Sequence, residues 1–123
     1  MTKQRLDFGK KGEKAAASFL KKQGYRILKK NFSTAIGEID IIAEQKGVLV
    51  FIEVKSRVDE AFGHPSMAVT PAKQKKITQT AQSFLANNKV KDREIRFDVV
   101  SVLPAPEDPG SLQVEVLADA FRV

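Results

Sequence analysis

The sequence contains no cysteine, which excludes disulfide bonds and thiolate metal sites and fits a reducing compartment. Its one histidine, His64, stands between a glycine and a proline as a turn residue does, and no second histidine or cysteine exists to complete a zinc site. No apolar run approaches the ~18 residues of a membrane span, and the first residues include no apolar signal segment. We therefore expect a cytoplasmic protein without membrane spans.

Length and charge suit a globular protein that binds polyanions. The 123 residues, 42% of them hydrophobic, suffice for a single domain over residues 1–123 with a core of its own. The formal net charge is +6, and a basic surface attracts nucleic acid or anionic lipid. A basic surface that is merely solvated is the alternative, and charge alone does not separate the two.

Hydrophobic periodicity and turn residues predict two helices and five strands. Thr70 followed by Pro71 indicates the start of the second helix, with threonine as N-cap and proline in the first turn. Gly9 and Gly12 weaken the first helix, so either it starts late or it lies close to a bulky neighbour. The predicted α/β fold is a mixed sheet flanked by helices, in the order α-β-β-β-α-β-β. The predicted elements cover residues 7–23, 25–32, 36–43, 48–56, 71–87, 94–103 and 112–117, with loops over 57–70 and 104–110.

Two neighbouring apolar runs, 36–43 and 48–56, carry charges where a buried strand should have none. Asp40 lies among isoleucines, and Glu53 and Lys55 lie among Phe, Ile and Val. A charge buried in such a strand is costly unless it is paired or binds a metal. These misplaced charges are therefore the first candidates for a functional site.

The turn between the two runs decides which charges meet. A turn at Lys46-Gly47 places Asp40 opposite Glu53 and Glu38 opposite Lys55, with Cβ atoms roughly 4.5–5.5 Å apart. A four-residue turn over 45–48 gives the same register, whereas a three-residue turn breaks it. With either even turn, two carboxylates face each other across the hairpin.

Two carboxylates at that distance repel each other unless a cation lies between them. A hard ion such as Mg²⁺ takes one or two carboxylates together with waters and phosphate oxygens, and Lys55 would stand beside it. The alternative is a cross-strand ion pair of Lys55 with Asp40 or Glu38 and no chemistry. A second Glu-x-Lys, at Glu44–Lys46, lies in the expected turn and carries no such prediction.

Other charged residues offer weaker signals. Glu13 lies at the edge of the first helix's buried face, where an exposed acid is the simpler interpretation. Lys73 and Lys76 lie in the first two turns of the second helix, where cations oppose the helix dipole and a phosphate partner would explain them. A solvated face is the alternative. Asp98 shares a strand face with Arg96, which predicts a structural salt bridge.

The order and spacing of the acids resemble those of the PD-(D/E)xK nuclease superfamily. Asp40 is followed, after twelve residues, by Glu53-Val54-Lys55, and Ile39 stands where a proline is usual. A wider set resembles the YraN-type family of small bacterial proteins, which are similar to Holliday-junction resolvases. This resemblance spans about residues 8–103 and rests on Gly9-x-x-Gly12-Glu13-x-x-Ala16, Gly24-Tyr25-x-Ile27-Leu28-x-x-Asn31, Gly37-Glu38-Ile39-Asp40, Phe51-Ile52-Glu53-Val54-Lys55-x-Arg57, Phe62-Gly63-x-Pro65 and Arg96-Phe97-Asp98-Val99-Val100.

The resemblance implies a restriction-endonuclease-like core and assigns roles to its residues. Asp40 and Glu53, with the Val54 carbonyl, would hold Mg²⁺ or Mn²⁺. Lys55 would orient the attacking water and stabilise charge on the phosphate, and Glu13 would reach in from the first helix. The candidates for DNA phosphate contacts are Lys29, Lys30, Arg57, Lys73 and Lys76.

Three functions are therefore open. The first is a metal-dependent endonuclease acting on branched or structured DNA. The second is a nucleic-acid-binding module that keeps the nuclease fold without turnover. The third is a structural protein whose acids form an internal ion-pair cluster. A homodimer is compatible with the resemblance to resolvases, although no stretch of the sequence marks an interface.

Overall fold

The computed structural model describes residues 3–56, 69–105 and 107–122. Helices and strands follow one another in the predicted order, and the five strands form one sheet in the order β1-β2-β3-β4-β5. Neighbouring strands are antiparallel except for β3 and β4, which are parallel and joined through α2. The predicted mixed sheet flanked by helices is thus confirmed. The elements are α1 (Lys3–Lys22), β1 (Arg26–Ser33), β2 (Glu38–Gln45), β3 (Val48–Ser56), α2 (Pro71–Asn87), β4 (Ile95–Ala105) and β5 (Asp108–Phe121).

The last hairpin is longer than the sequence predicts. Residues 104–110 are expected to be a loop, yet Pro104 pairs with Leu112, and β5 runs along the whole edge of the sheet. The parallel ladder with β3 ends at Val102, so Pro104 has no ladder bond to lose on that side. Proline is thereby tolerated at the end of a central strand.

The two helices cover opposite faces of the sheet. On one face α1 buries Ala16 and Leu20 against strand residues such as Val50 and Val100. On the other face α2 buries Ile77, Ala81 and Phe84, whose ring meets Phe51 edge-on at 6.0 Å between centroids. Neither helix within the described ranges is both long and apolar enough to cross a membrane.

The turn of the central hairpin sets the register that the sequence predicts. Lys46 and Gly47 have φ angles of 51° and 81°, and positive φ at both positions is what a two-residue type I′ turn requires. The β2–β3 ladder runs from Gln45 opposite Val48 to Ile41 opposite Ile52. Continuing this register by one residue brings Asp40 opposite Glu53.

Gly12 lets α1 approach the sheet closely. A Cβ at this position would collide with the Ser56 side chain and lie 3.7 Å from Val102 Cβ, whereas a Cβ at Gly9 would meet nothing within 4 Å. We expect Gly12→Ala to lower the free energy of unfolding by about 1–3 kcal/mol through overpacking. The matched change Gly9→Ala should raise it by roughly 0.5–1 kcal/mol, since alanine favours a helix over glycine.

Urea denaturation of both variants measures this difference. Equal effects of the two substitutions would contradict a close contact at Gly12.

Candidate metal and nucleic-acid site

Asp40 lies where the β2–β3 ladder ends. Beyond the Ile41–Ile52 pair its carboxylate takes over the role of a backbone acceptor, since Val54 N–H donates to Asp40 Oδ2 at 2.7 Å. This bond fixes the carboxylate against the adjacent strand. It also explains how a charged side chain is accommodated at the end of an otherwise apolar strand.

Glu53 is buried and is bound by two lysines. It follows Phe51 on the face that α2 covers, so its carboxylate points toward the start of that helix. Lys73 Nζ, from the first turn of α2, lies 2.7 Å from Glu53 Oε1, and Lys55 Nζ lies 3.4 Å from the same oxygen. The contact with Lys73 joins residues 20 positions apart, so the local pattern around Glu53 does not predict it.

Burial and neighbouring carboxylates make Asp40 a weaker acid than a free aspartate. Burial and the nearby charge of Glu53 raise the pKa of Asp40 to about 7, and Glu13 and Glu38 act in the same direction. The hydrogen bond from Val54 N–H opposes this change without overcoming it. Without a cation the carboxylate of Asp40 is therefore only partly ionised at neutral pH.

The two lysines at Glu53 respond in opposite ways. Burial and the neighbouring Lys73 ammonium lower the pKa of Lys55, even though Glu53 favours its charged form. Burial also disfavours charge on Lys73, but its bond to Glu53 prevails and raises the pKa of Lys73. Lys73 therefore acts as the firm counter-ion of Glu53, and Lys55 is the lysine more readily deprotonated.

Asp40 separates two clefts. The first, here called the Glu53 cleft, has a volume of about 370 Å³ and lies between the hairpin and α2. The second, called the Glu13 cleft, has a volume of about 330 Å³ and lies between α1 and β1. The Glu53 cleft is lined by Ile36, Gly37, Glu38, Asp40, Glu53, Lys73, Lys76 and Ile77. The Glu13 cleft is lined by Lys10, Glu13, Lys14, Lys30, Asn31, Asp40 and Ile41.

The donor set of the Glu53 cleft suits a hard cation with few protein ligands. No group of three or more acidic or histidine side chains in the described part of the chain is arranged to hold a metal. Mg²⁺ commonly binds through one or two carboxylates and keeps its waters for substrate phosphates. Asp40 and Glu53 supply such a pair, and a cation between them would offset both the burial and the repulsion that raise the pKa of Asp40.

The predicted site residues divide between the clefts. Glu13 and Lys30 share the Glu13 cleft with Asp40, and Lys73 and Lys76 share the Glu53 cleft. Lys29 lines neither cleft, because its ammonium lies 5.9 Å from the centroid of the Phe32 ring. Arg57, like His64, lies outside the described residues.

Three residues near the site were not predicted. Lys10 and Lys14 line the Glu13 cleft, and their spacing of one helical turn was the signal in the sequence. Ser101 stands beside Lys55 in the parallel β3–β4 ladder, where its hydroxyl is buried without a hydrogen-bond partner among the described residues. No local pattern in the sequence marks that position.

A second polar cluster lies toward the opposite end of the sheet. Asp98 accepts hydrogen bonds from Tyr25 Oη at 2.7 Å, from Arg96 Nε at 2.8 Å and from the Asp119 backbone N–H at 2.9 Å. Arg96 also reaches the side-chain oxygen of Gln45 at 2.8 Å. The salt bridge predicted between Arg96 and Asp98 is thus confirmed as the centre of a larger network.

Comparison with known proteins gives the family and leaves the activity open. The model of a family described as "Uncharacterised protein family UPF0102" matches residues 12–102. A "UPF0102 protein" of Pelobacter propionicus is 45% identical over 117 residues, which are 94% of this chain and 82% of the relative. One from Clostridium perfringens is 45% identical over 123 residues, the full length of both chains. The chain therefore belongs to the uncharacterised family UPF0102, the YraN-type family that its sequence resembles.

Proposed function

We propose that the chain is a metal-dependent endonuclease that hydrolyses phosphodiester bonds in DNA, with branched or structured DNA as substrate and the cytoplasm as its place of action. The observation that carries this proposal is the meeting of Asp40 and Glu53, from adjacent strands, in one cleft with Lys73 and Lys76. Such a hydrolysis needs carboxylates that hold a cation and ammonium groups that bind the phosphate. Family membership adds no activity of its own, since the family is uncharacterised.

Each residue has a defined task in this proposal. Mg²⁺ or Mn²⁺ held by Asp40, Glu53 and the Val54 carbonyl would supply a Lewis acid that activates water and offsets charge on the phosphate. Lys55, 3.4 Å from Glu53 Oε1, orients the attacking water and donates to the phosphate oxygen that gains charge. A cation held by Glu53 would leave the Lys73 ammonium available to a phosphate oxygen. Val54 N–H keeps the Asp40 carboxylate in position throughout.

A non-catalytic nucleic-acid-binding module is the second candidate. The observation in its favour is that Lys73 lies 2.7 Å from Glu53 Oε1, with Lys55 on the same oxygen. In this case the two ammonium groups neutralise Glu53 permanently, and no divalent ion enters. Binding of DNA would then depend on salt and not on the acids.

Cleavage assays on linear, nicked, flap and four-way DNA with Mg²⁺ or Mn²⁺ test the proposal. We expect wild type to cut branched DNA, and Lys55→Ala to lose about 10²–10³ in rate, as expected for a lost donor to the developing charge. Glu53→Gln should lose at least as much, because it removes a cation ligand. The matched control Glu44→Gln changes the acid of the turn-side Glu-x-Lys, far from Asp40, and should keep its activity.

Two further results separate the candidates. Titration of Mg²⁺ or Mn²⁺ into wild type in a calorimeter should give a binding signal that Asp40→Ala abolishes. Absence of cleavage on every one of these DNAs with both metals would refute the endonuclease. Salt-sensitive DNA binding that Glu53→Gln and Lys55→Ala leave unchanged would then support the binding module.

A further inference from the structure

Apart from Asp40, the residues that line the Glu13 cleft have no task in the proposed chemistry. Lys10 and Lys14 lie one turn apart on α1, and Lys30 reaches the same cleft from β1. Asn31 adds a side-chain amide, which can donate two hydrogen bonds. Ammonium and amide donors from a helix and a strand therefore converge on one volume of about 330 Å³.

The lysines of this cleft are available to a ligand. None of Lys10, Lys14 and Lys30 forms an ion pair with another described residue, whereas Lys55 and Lys73 are both held by Glu53. The three lysines outnumber the two acids of the cleft, Glu13 and Asp40.

Like charges at this helical spacing also repel each other and destabilise the helix. An anion between Lys10 and Lys14 would remove that repulsion.

We infer that the Glu13 cleft binds a second backbone phosphate of the nucleic acid. Lys10 and Lys14 are its principal ligands, Lys30 and Asn31 complete it, and Asp40 is the border between the two phosphate positions. A phosphodiester is the fitting ligand class, because lysine binds phosphate oxygens as a point charge from several directions. This inference rests on the proposed function and extends it from the reacting phosphate to a second phosphate.

The test compares two double variants with the same loss of charge. Lys10→Gln/Lys14→Gln empties the cleft of its helical lysines, and Lys21→Gln/Lys22→Gln removes two exposed lysines from the last turn of the same helix. Binding of fluorescent DNA is followed by anisotropy in EDTA, so that no hydrolysis occurs, between about 50 and 200 mM salt. We expect the first pair to weaken binding about tenfold and to reduce the slope of log K against log salt by about two. The second pair should leave that slope at its wild-type value.

Each result decides a different claim. If wild type binds DNA and the two double variants behave alike, the cleft is not a phosphate site, and the proposed activity at Glu53 is untouched. If wild type binds no DNA at all, the proposed function and this inference fall together. Binding by wild type without cleavage, together with the expected difference in slope, supports the cleft on a protein that binds and does not cut.

Discussion

Asp40→Asn is expected to stabilise the cation-free protein at pH 8 by about 2–4 kcal/mol. The folded-state pKa of Asp40, about 7, lies above its ordinary value of 3.8, so the folded chain holds this proton more tightly than the unfolded chain. Stability from this group is therefore full below about pH 4 and is lost as the pH rises to about 7. Asparagine removes the charge while its side-chain oxygen still accepts from Val54 N–H.

Urea denaturation in EDTA across this pH range measures the effect. The difference between Asp40→Asn and wild type should be small at pH 4, grow toward pH 7 and then stay constant. Glu38→Gln, an exposed acid on the same strand, loses the same charge and should change stability far less. Addition of Mg²⁺ at 100 times its Kd should restore about 2.7 kcal/mol to wild type and little to Asp40→Asn.

A less stable Asp40→Asn at pH 8 would count against the crowded-carboxylate interpretation. It would mean that the negative charge of Asp40 is needed by a lysine such as Lys73. The acids would then form the internal ion-pair cluster that is the third function considered from the sequence.

Asp98→Ala is expected to destabilise the protein by about 3–5 kcal/mol, because it removes a fully buried acceptor and leaves the partly buried Arg96 guanidinium without its partner. Asp98 has no exposed side-chain surface, and it receives two hydrogen bonds from Arg96, at 2.8 and 2.9 Å. The Tyr25 hydroxyl and the Asp119 backbone N–H would lose their acceptor as well. Burial and the bond to Asp98 raise the pKa of Tyr25 to about 12, so its hydroxyl remains a donor at neutral pH.

Thermal or urea unfolding at pH 7 provides the measurement. Glu44→Ala is the control, since Glu44 also pairs with two arginines, Arg26 and Arg93, but near the surface. Its substitution should lower the free energy of unfolding much less. The double variant Arg96→Met/Asp98→Leu should recover part of the loss, because an apolar pair leaves no buried charge. Similar losses in Asp98→Ala and Glu44→Ala would show that the network contributes little.

The hairpin at the centre of the site could be predicted because its determinants are local. Alternating apolar residues and the Lys46-Gly47 turn fix the register, and the observed Ile41–Ile52 pair confirms it. The same register predicts that Asp40 and Glu53 are neighbours. They lie close together because a two-residue turn joins the adjacent strands that carry them.

Contacts between distant parts of the chain could not be predicted in this way. The alternative interpretation of the sequence pairs Lys55 with Asp40 or Glu38, whereas in the structure Lys55 lies beside Glu53 together with Lys73. The position of Lys73 depends on how α2 docks on the sheet. The hydrophobic periodicity of α2 shows which face is buried but not where on the sheet the helix lies. Tyr25 as a partner of Asp98 depends in the same way on the packing of α1 against β4.

The topology determines when this site is complete. Consecutive strands are neighbours throughout the sheet, and β3 and β4 alone are joined through a helix. The hairpin that brings Asp40 to Glu53 can form early from nearby residues, whereas Lys73 arrives only when α2 docks on the sheet. A nascent chain that ends before α2 would hold Asp40 and Glu53 together without Lys73, so the Glu53–Lys73 contact marks a fold in which α2 has docked.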